Sequence, residues 1–375
     1  MWTFYLIALL PVLIGAGMWI AKKEVVWWEW LIGTGVSFGI AGFIHLLVAS
    51  GMTNDTETWS GQVMSVIFYP EWVEQYEVAV YKTETYTIDK QTYTRQVFSH
   101  YETRYRTHRE HWEAGLYFGA ESNDRNINKA KYLQIKKDFG DKIDKKKSHK
   151  SGFYKGDPYI YITKNTTGYI HPVFKLKKFE NKVKCAPSIF SYIEVPKDVK
   201  VFEYPKNEGK WKSDRVLGTA KNIISIYNWD CLNAKLGPRK KLNLILIGFP
   251  LGESTMISQY QEAKYIGGKK NDLVLCYAGD YKKPDWAYVF GWSENEKVKR
   301  DLETLILSGI SKDFCNKVER TVYDGNYVKK EWSKFDYISI SPPMWGYWTL
   351  IGVMILTQGI FWFWANKNEF QRSEI

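Results

Sequence analysis

Three stretches of this chain carry no charge or almost none: Trp2 to Ala21, Trp30 to Ser50 and Met344 to Ala365. About 20 apolar residues in a helix span the hydrocarbon of a bilayer, and a helix satisfies its own backbone hydrogen bonds where water cannot. The expectation is a membrane protein with three transmembrane helices plus an α+β soluble part. Residues 1–50 would form a hairpin with spans at about 2–21 and 30–50. Residues 344–365 would form the third span, followed by a tail at 366–375. Between them, 25% charged residues overall against 45% apolar leave Gly51 to Pro343 water-soluble and able to build a core, which excludes a disordered or fibrous chain.

Lys22 and Lys23 lie in the short link between the first two stretches, and basic residues in short loops stay in the cytoplasm. That rule places the body between Gly51 and Pro343 outside the cell membrane and the C-terminal tail inside. The first stretch has neither a basic segment before it nor a small-residue cleavage site after it, so it reads as a retained span. Tryptophans at the ends of the stretches (Trp27, Trp28, Trp30, Trp345, Trp348, Trp362 and Trp364) suit the bilayer interface. His45 and Gln358 are polar groups inside spans and read as helix-packing residues. Gly35 and Gly39, four apart, with Gly42 nearby, permit close helix contact within the hairpin, with the third span, or with a second copy in a homo-oligomer.

The net charge of +11 sits on the soluble part, with 28 basic against 21 acidic residues from Gly51 to Ser213 and 20 against 16 from Asp214 to Pro343. Its densest run, Lys142 to Lys150, reads as a solvated loop whose Lys145, Lys146 and Lys147 could meet an anionic lipid or an anionic envelope polymer. No nucleic-acid motif accompanies the charge, so nucleic acid is not an expected partner. Cys185, Cys231, Cys276 and Cys315 are too far apart for a zinc ribbon or a redox pair. One or two disulfides are compatible with an external body, with Cys276 reading as a buried thiol.

Residues 51–213 read as a β-rich antiparallel module. Threonine, tyrosine and valine dominate Thr58 to Phe118, with a polar turn near Asp89 and Lys90. Further strands are expected at Tyr159–Thr163, Tyr169–Leu176 and Val199–Tyr204, with one helix near Arg125–Phe139. His108 and His111 form an H-x-x-H that could hold a metal, but residues three apart on a strand face opposite ways. Tyr101, Arg104, Tyr105, Arg106 and Arg109 interleave rings and charge, which suits either a sugar or phosphate polymer or simple cross-strand pairing. Asn165-Thr166-Thr167 is a glycosylation sequon.

Residues 214–325 change to alternating helix and strand. A helix ends at Gly237-Pro238; LNLILIGF is a buried strand; a helix closes at Gly267-Gly268; DLVLCYA and DWAYVFGW are strands; and two helices follow, with a linker at 326–343. This order implies a covered sheet in an α/β sandwich. The buried strand LNLILIGF, the turn Gly267-Gly268-Lys269-Lys270-Asn271-Asp272 and the strand ending in Gly291-Trp292 resemble the TPM domain, named for thylakoid, phosphatase and molecular-chaperone members. The usual Asn-Gly of that turn is Asn271-Asp272 here. The whole layout, with Asp55-Thr56-Glu57-Thr58-Trp59 after the apolar stretches, is similar to uncharacterised membrane-anchored proteins of bacteriophages and bacteria. The TPM resemblance implies either assembly of membrane complexes or phosphatase activity, the latter with Asp272, Asp280 and Asp285 as ligands of a divalent cation.

No phosphate-cradling glycine loop is evident, because the glycine turn follows a helix instead of opening one. The expected function is a membrane-anchored, extracytoplasmic binding or assembly module of the cell envelope without enzymatic activity, working on an envelope protein partner. The alternatives are a membrane-tethered metal-dependent phosphohydrolase and an oligomeric channel lined by the second span.

Overall fold

A computed structural model describes residues 2–9, 13, 16–17, 27–119, 121–147, 159–186, 193–209, 211–325 and 327–367. The chain opens with a short helix α1 (Trp2–Leu6), a 3-10 turn (Ile7–Leu9), and then helix α2 (Trp27–Thr53). Among the described residues one helix, Leu31–Thr53, is long and apolar enough to cross a membrane, which is the character of a membrane anchor or of a signal sequence. The expected fold of three transmembrane helices is corrected. The protein is a mixed α/β chain with antiparallel sheets and one such helix near its N-terminus. Most of the first stretch, including the link with Lys22 and Lys23, lies outside the described residues, as do the side chains of Trp27, Trp28, Trp30, Trp362 and Trp364. The C-terminal stretch is helical, but it shares a core with α2: Phe4, Ala8, Ala41, Ile44, Val48, Leu350 and Met354 form one buried cluster. Residues that lipid would solvate are also residues that pack helices together, and composition does not separate the two.

Gln358 serves this packing, its Nε2 donating to Ser37 Oγ at 2.7 Å. His45 Nδ1 lies 3.0 Å from the Tyr5 hydroxyl. The helix contact runs along Gly33, Ser37 and Ala41, which are buried. Gly35, Gly39 and Gly42 take no part in it, because a side chain placed on any of them would meet nothing within 4 Å.

Helix α2 runs directly into β1 (Asn54–Tyr69), the spine of the β-rich module. It is followed by β2 (Trp72–Ile88), β3 (Gln91–His108), β4 (His111–Tyr117), β5 (Ser122–Ile127), α3 (Lys129–Phe139), β6 (Ile143–Lys147), β7 (Tyr159–Lys164) and β8 (Pro172–Glu180). Six strands form an antiparallel sheet in the order β5-β4-β1-β7-β6, with β8 paired to the first half of β1. Helix α3, capped by Asn128 accepting from the Lys131 amide at 2.8 Å, buries Tyr132, Ile135 and Phe139 against Val63, Val66, Ala114 and Leu116. The lysine run is not the expected loop where it is described: Lys145, Lys146 and Lys147 lie on the edge strand β6. Lysines on an edge block pairing with another chain. Residues 148–150 of the run lie outside the described residues.

A small hairpin, β9 (Asn207–Glu208) with β10 (Lys212–Ser213), leads into β11 (Val216–Gly218), α4 (Ile226–Lys240), β12 (Asn243–Phe249), α5 (Met256–Tyr265), β13 (Asp272–Asp280), β14 (Lys283–Gly291), α6 (Lys297–Leu307), α7 (Phe314–Asp324) and the C-terminal helix α8 (Met344–Lys367). The sheet order is β11-β12-β13-β14, parallel except for β14. Strand β12 is buried at all seven residues because both faces are covered. Trp229, Leu236, Leu302, Phe314 and Val318 of α4, α6 and α7 cover one face. Ile257 and Tyr265 of α5, joined by Val199, Phe202 and Tyr204, cover the other. Val199–Tyr204, expected as a strand, is an extended segment lying on the sheet face, since its side chains enter the core without backbone pairing. Helix α4 passes through Gly237-Pro238 and stops at Lys241, whose left-handed backbone (φ 52°) lets its amide bond Gly237 O at 2.8 Å. A proline in the last turn costs one backbone bond, and a left-handed residue closes the end instead.

Candidate functional site

Strands β2 and β3 form a two-stranded ribbon joined by Asp89 and Lys90, both with positive φ (50° and 65°), the geometry of a tight primed turn. At about 3.3 Å per residue the ribbon extends roughly 55 Å. Among the described residues neither strand joins another sheet, and no residue of either is buried. An isolated hairpin is marginal in water; this one is held by its cross-strand pairs and rooted at an elbow. Trp72 stacks on His108 with ring centroids 4.5 Å apart, and Tyr69 stacks on His111 at 4.2 Å, on either side of the Pro70–Glu71 and Arg109–Glu110 breaks. His108 Nε2 also lies 2.6 Å from Glu74. The two histidines therefore do not converge on a common point: each belongs to its own cross-strand pair.

The ribbon is two-faced. Directly paired residues share a face, and alternate residues along a strand do too. One face carries Glu74, Lys82, Glu84, Arg95, Glu102, Arg104 and Arg106, paired among themselves: Arg95 with Glu84 at 3.1 Å, Arg104 with Glu102 at 2.9 Å, and Arg106 over the Tyr76 ring. The other face runs Val73, Gln75, Glu77, Ala79, Tyr81, Thr83, Thr85 and Thr87 against Thr107, Tyr105, Thr103, Tyr101, Phe98, Gln96, Thr94 and Thr92, with Glu77 its one charge. Tyr81, Phe98, Tyr101 and Tyr105 are 57%, 47%, 64% and 68% exposed. Of the expected ring-and-charge interleaving, the rings of Tyr101 and Tyr105 fall on this face while Arg104 and Arg106 fall on the other.

The body that carries the ribbon is locked by a buried polar seam between the first half of β1 and the starts of β11, β12 and β13. Arg215, fully buried, donates to Ser60 Oγ at 2.6 Å, Asn243 Oδ1 at 2.8 Å and Asp230 Oδ1 at 2.9 Å, and lies over the Phe174 ring. Burial outweighs Arg215 and pushes the Asp230 carboxyl up to about 6. Asp272, also fully buried, accepts from Asn243 Nδ2, the Tyr204 hydroxyl and the Lys269 amide, and its carboxyl is raised because burial exceeds what these bonds return. Lys329 meets Glu57 at 2.9 Å, Asn271 Nδ2 donates to Thr58 O at 2.7 Å, and Lys269 pairs with Asp55. Burial also acts on Asp55, but its bonds to Lys269 and Asn181 prevail and hold the carboxyl below the usual range.

The seam lies at the amino ends of the parallel strands, whereas open α/β sheets bind ligands beyond the carboxyl ends. Its groups bond chiefly to one another, with Arg215 Nε and Asn271 Oδ1 left without a partner, which is the chemistry of a joint. Asp272 belongs to this joint. Asp280 ends the same nine-residue strand, roughly 25 Å away. Asp285 sits beside Gly279 near the β13–β14 turn. The three carboxylates do not converge on one cation, and among the described residues no group of three His, Cys, Asp or Glu could hold a metal. All four cysteines are free, Cys276 buried. Sequence reasoning missed Arg215 and Asp230, because a lone arginine and a lone aspartate read as surface residues. Their only sequence signal is position, one opening a strand and one between Trp229 and Cys231 in a helix.

No family model, curated protein or solved structure matches this chain. The likeness to TPM domains rests on the residues quoted above alone.

Proposed function

We propose that this protein is a membrane-anchored binding or assembly module of the cell envelope that works without catalysis, presenting the β2–β3 ribbon as its contact arm. The observation that carries this reading is the ribbon itself: 35 strand residues with none buried, carrying exposed rings on an almost uncharged face, projecting from a body whose two modules are joined by a buried ionic seam. Aromatic rings are among the residues that dominate binding energy at protein interfaces. Helix Leu31–Thr53 supplies the anchor. The basic residues Lys22 and Lys23 before it favour a cytoplasmic amino end and a body on the outer side of the membrane. The lysine edge β6, with Lys145, Lys146 and Lys147, suits a weak electrostatic contact with anionic lipid or envelope polymer as a secondary role.

The test is a photo-cross-linking residue placed at Tyr101 or, separately, at Lys146 in the full chain in membranes. The expected result is a discrete cross-linked species from Tyr101 and none of comparable yield from Lys146. No species from Tyr101, or equal yields from both positions, would overturn the reading.

A further inference from the structure

The uncharged face of the ribbon leaves a large unpartnered surface, and its pattern limits what can cover it. Four rings and Val73 lie along one side of a two-stranded element whose register shifts once, between Val80 and Tyr81, while every other charge of its strands lies on the opposite side, most of them paired there. Taking about 200 Å² for an aromatic side chain, the exposed fractions of Tyr81, Phe98, Tyr101 and Tyr105 amount to roughly 500 Å² on each ribbon. Two such faces, with Val73 and the threonines added, clear the roughly 1,000 Å² that marks a specific interface. A face with no net partner charge to seek, and the area of half a stable dimer, is self-complementary in both respects.

Resting on the reading of the ribbon as a contact arm, we propose that its occupant is a second copy of this chain, packed face to face and antiparallel about a two-fold axis through the Tyr81–Phe98 rung. That rung is near the midpoint between the Trp72–His108 base and the Ile88–Gln91 tip, so an axis there overlaps the two ribbons along nearly their whole length. A two-fold axis requires the same patch on both partners. It brings Glu77, four residues toward the base, opposite Thr85, four residues toward the tip of the other copy. The one carboxylate of the face then meets hydroxyl groups, and the two carboxylates stay about 26 Å apart along the ribbon. The base-side rings Tyr101 and Tyr105, two and six rungs from the axis, fall against Gln96 and Thr92 on the same strand of the other copy. Rings of the two copies meet around the axis, where Tyr81, Phe98 and Tyr101 already contact one another, at 6.1 Å for Tyr81–Phe98 and 5.0 Å for Phe98–Tyr101. Sheets packed in this way lie about 10 Å apart, the reach of one layer of such side chains.

The experiment is light scattering of the full chain in mild detergent at tens of micromolar, with three variants. Wild type is expected at twice the single-chain mass of 43.9 kDa. Phe98→Lys and Tyr101→Lys, each placing a charge beside the axis, are expected to weaken association at least tenfold. Lys82→Glu, on the opposite face, is expected to leave it unchanged. A wild-type chain of single mass, or face variants that associate as wild type does, would overturn the proposal. Were wild type single but the Tyr101 cross-linker still to give a species with another protein, the contact-arm reading would stand and the second-copy occupant would fall. No cross-linked species at all would overturn both.

Discussion

Arg215 and Ser60 are 155 positions apart in the chain, yet the guanidinium donates to the serine oxygen across 2.6 Å inside a region sealed from water. That bond, with those to Asn243 and Asp230, ties the strand that leads to the ribbon to the sheet of the second module. Removing one partner of a buried ion pair leaves the other uncompensated, at about 3–5 kcal/mol. Arg215→Met is expected to destabilise the chain by that amount and Ser60→Ala by about 1–3 kcal/mol, read from denaturant unfolding. Equal and small effects would show that the seam is not the joint described here.

Asp230 gives the seam a pH dependence of known sign. Its folded carboxyl titrates at about 6, above its ordinary 3.8, so the folded state holds a proton that the unfolded state has released. The contribution of Asp230 is fully present below about 3.8 and is lost as pH rises through about 6, by at most about 3 kcal/mol. Relative to wild type, Asp230→Asn is expected to remove this fall in stability across that window. The difference between the two stability curves measures it, and curves that stay parallel from pH 4 to 7 would contradict it.

Gly237 sets helix propensity against packing. In a free helix, Gly to Ala gains about 1 kcal/mol. Here a Cβ would lie 2.6 Å from Ser60 O and 2.9 Å from its Cβ, so β1 would have to move. Overpacking of this kind costs about 1–3 kcal/mol. Gly237→Ala is expected to lower the thermal unfolding midpoint, and a raised midpoint would show that α4 and β1 are not in register.

Phe43 lies near the middle of Leu31–Thr53 and faces away from the helix-packing contact, 62% exposed. A lysine there is expected to cost about 2.5–3.5 kcal/mol if lipid surrounds it. Retention of Phe43→Lys in the membrane pellet after alkaline extraction is expected to drop sharply, while Ser50→Lys at the helix end should pellet as wild type does. Unchanged pelleting of the Phe43 variant would remove the anchor.

Strands β12 and β13 are legible in the sequence because both of their faces are buried and their residues after the first are continuously apolar, Leu244–Phe249 and Leu273–Ala278 alike. Strand β11 is not, because three residues carry no periodicity. The ribbon is visible as a run of threonine, tyrosine and valine about Asp89 and Lys90. Its isolation is not, since alternation shows which residues share a face and says nothing of what covers that face. The seam is illegible for a related reason: Arg215, Asp230 and Asp272 acquire meaning from partners 15 to 155 positions away. The C-terminal stretch misled because a run such as Leu350 to Leu356 is apolar whether lipid or another helix receives it.

An arm can be removed without loss of the body, and a support cannot. Replacing Val73–Thr107 by Asn-Gly, so that Trp72 and His108 close a short hairpin at the elbow, separates the two. The expected result is a body whose unfolding free energy stays within about 1 kcal/mol of wild type, since the removed residues bury almost nothing, whose membrane retention is unchanged, and whose assembly in detergent and in membranes is gone. A shortened chain that unfolds with its ribbon, or that assembles as before, would contradict it.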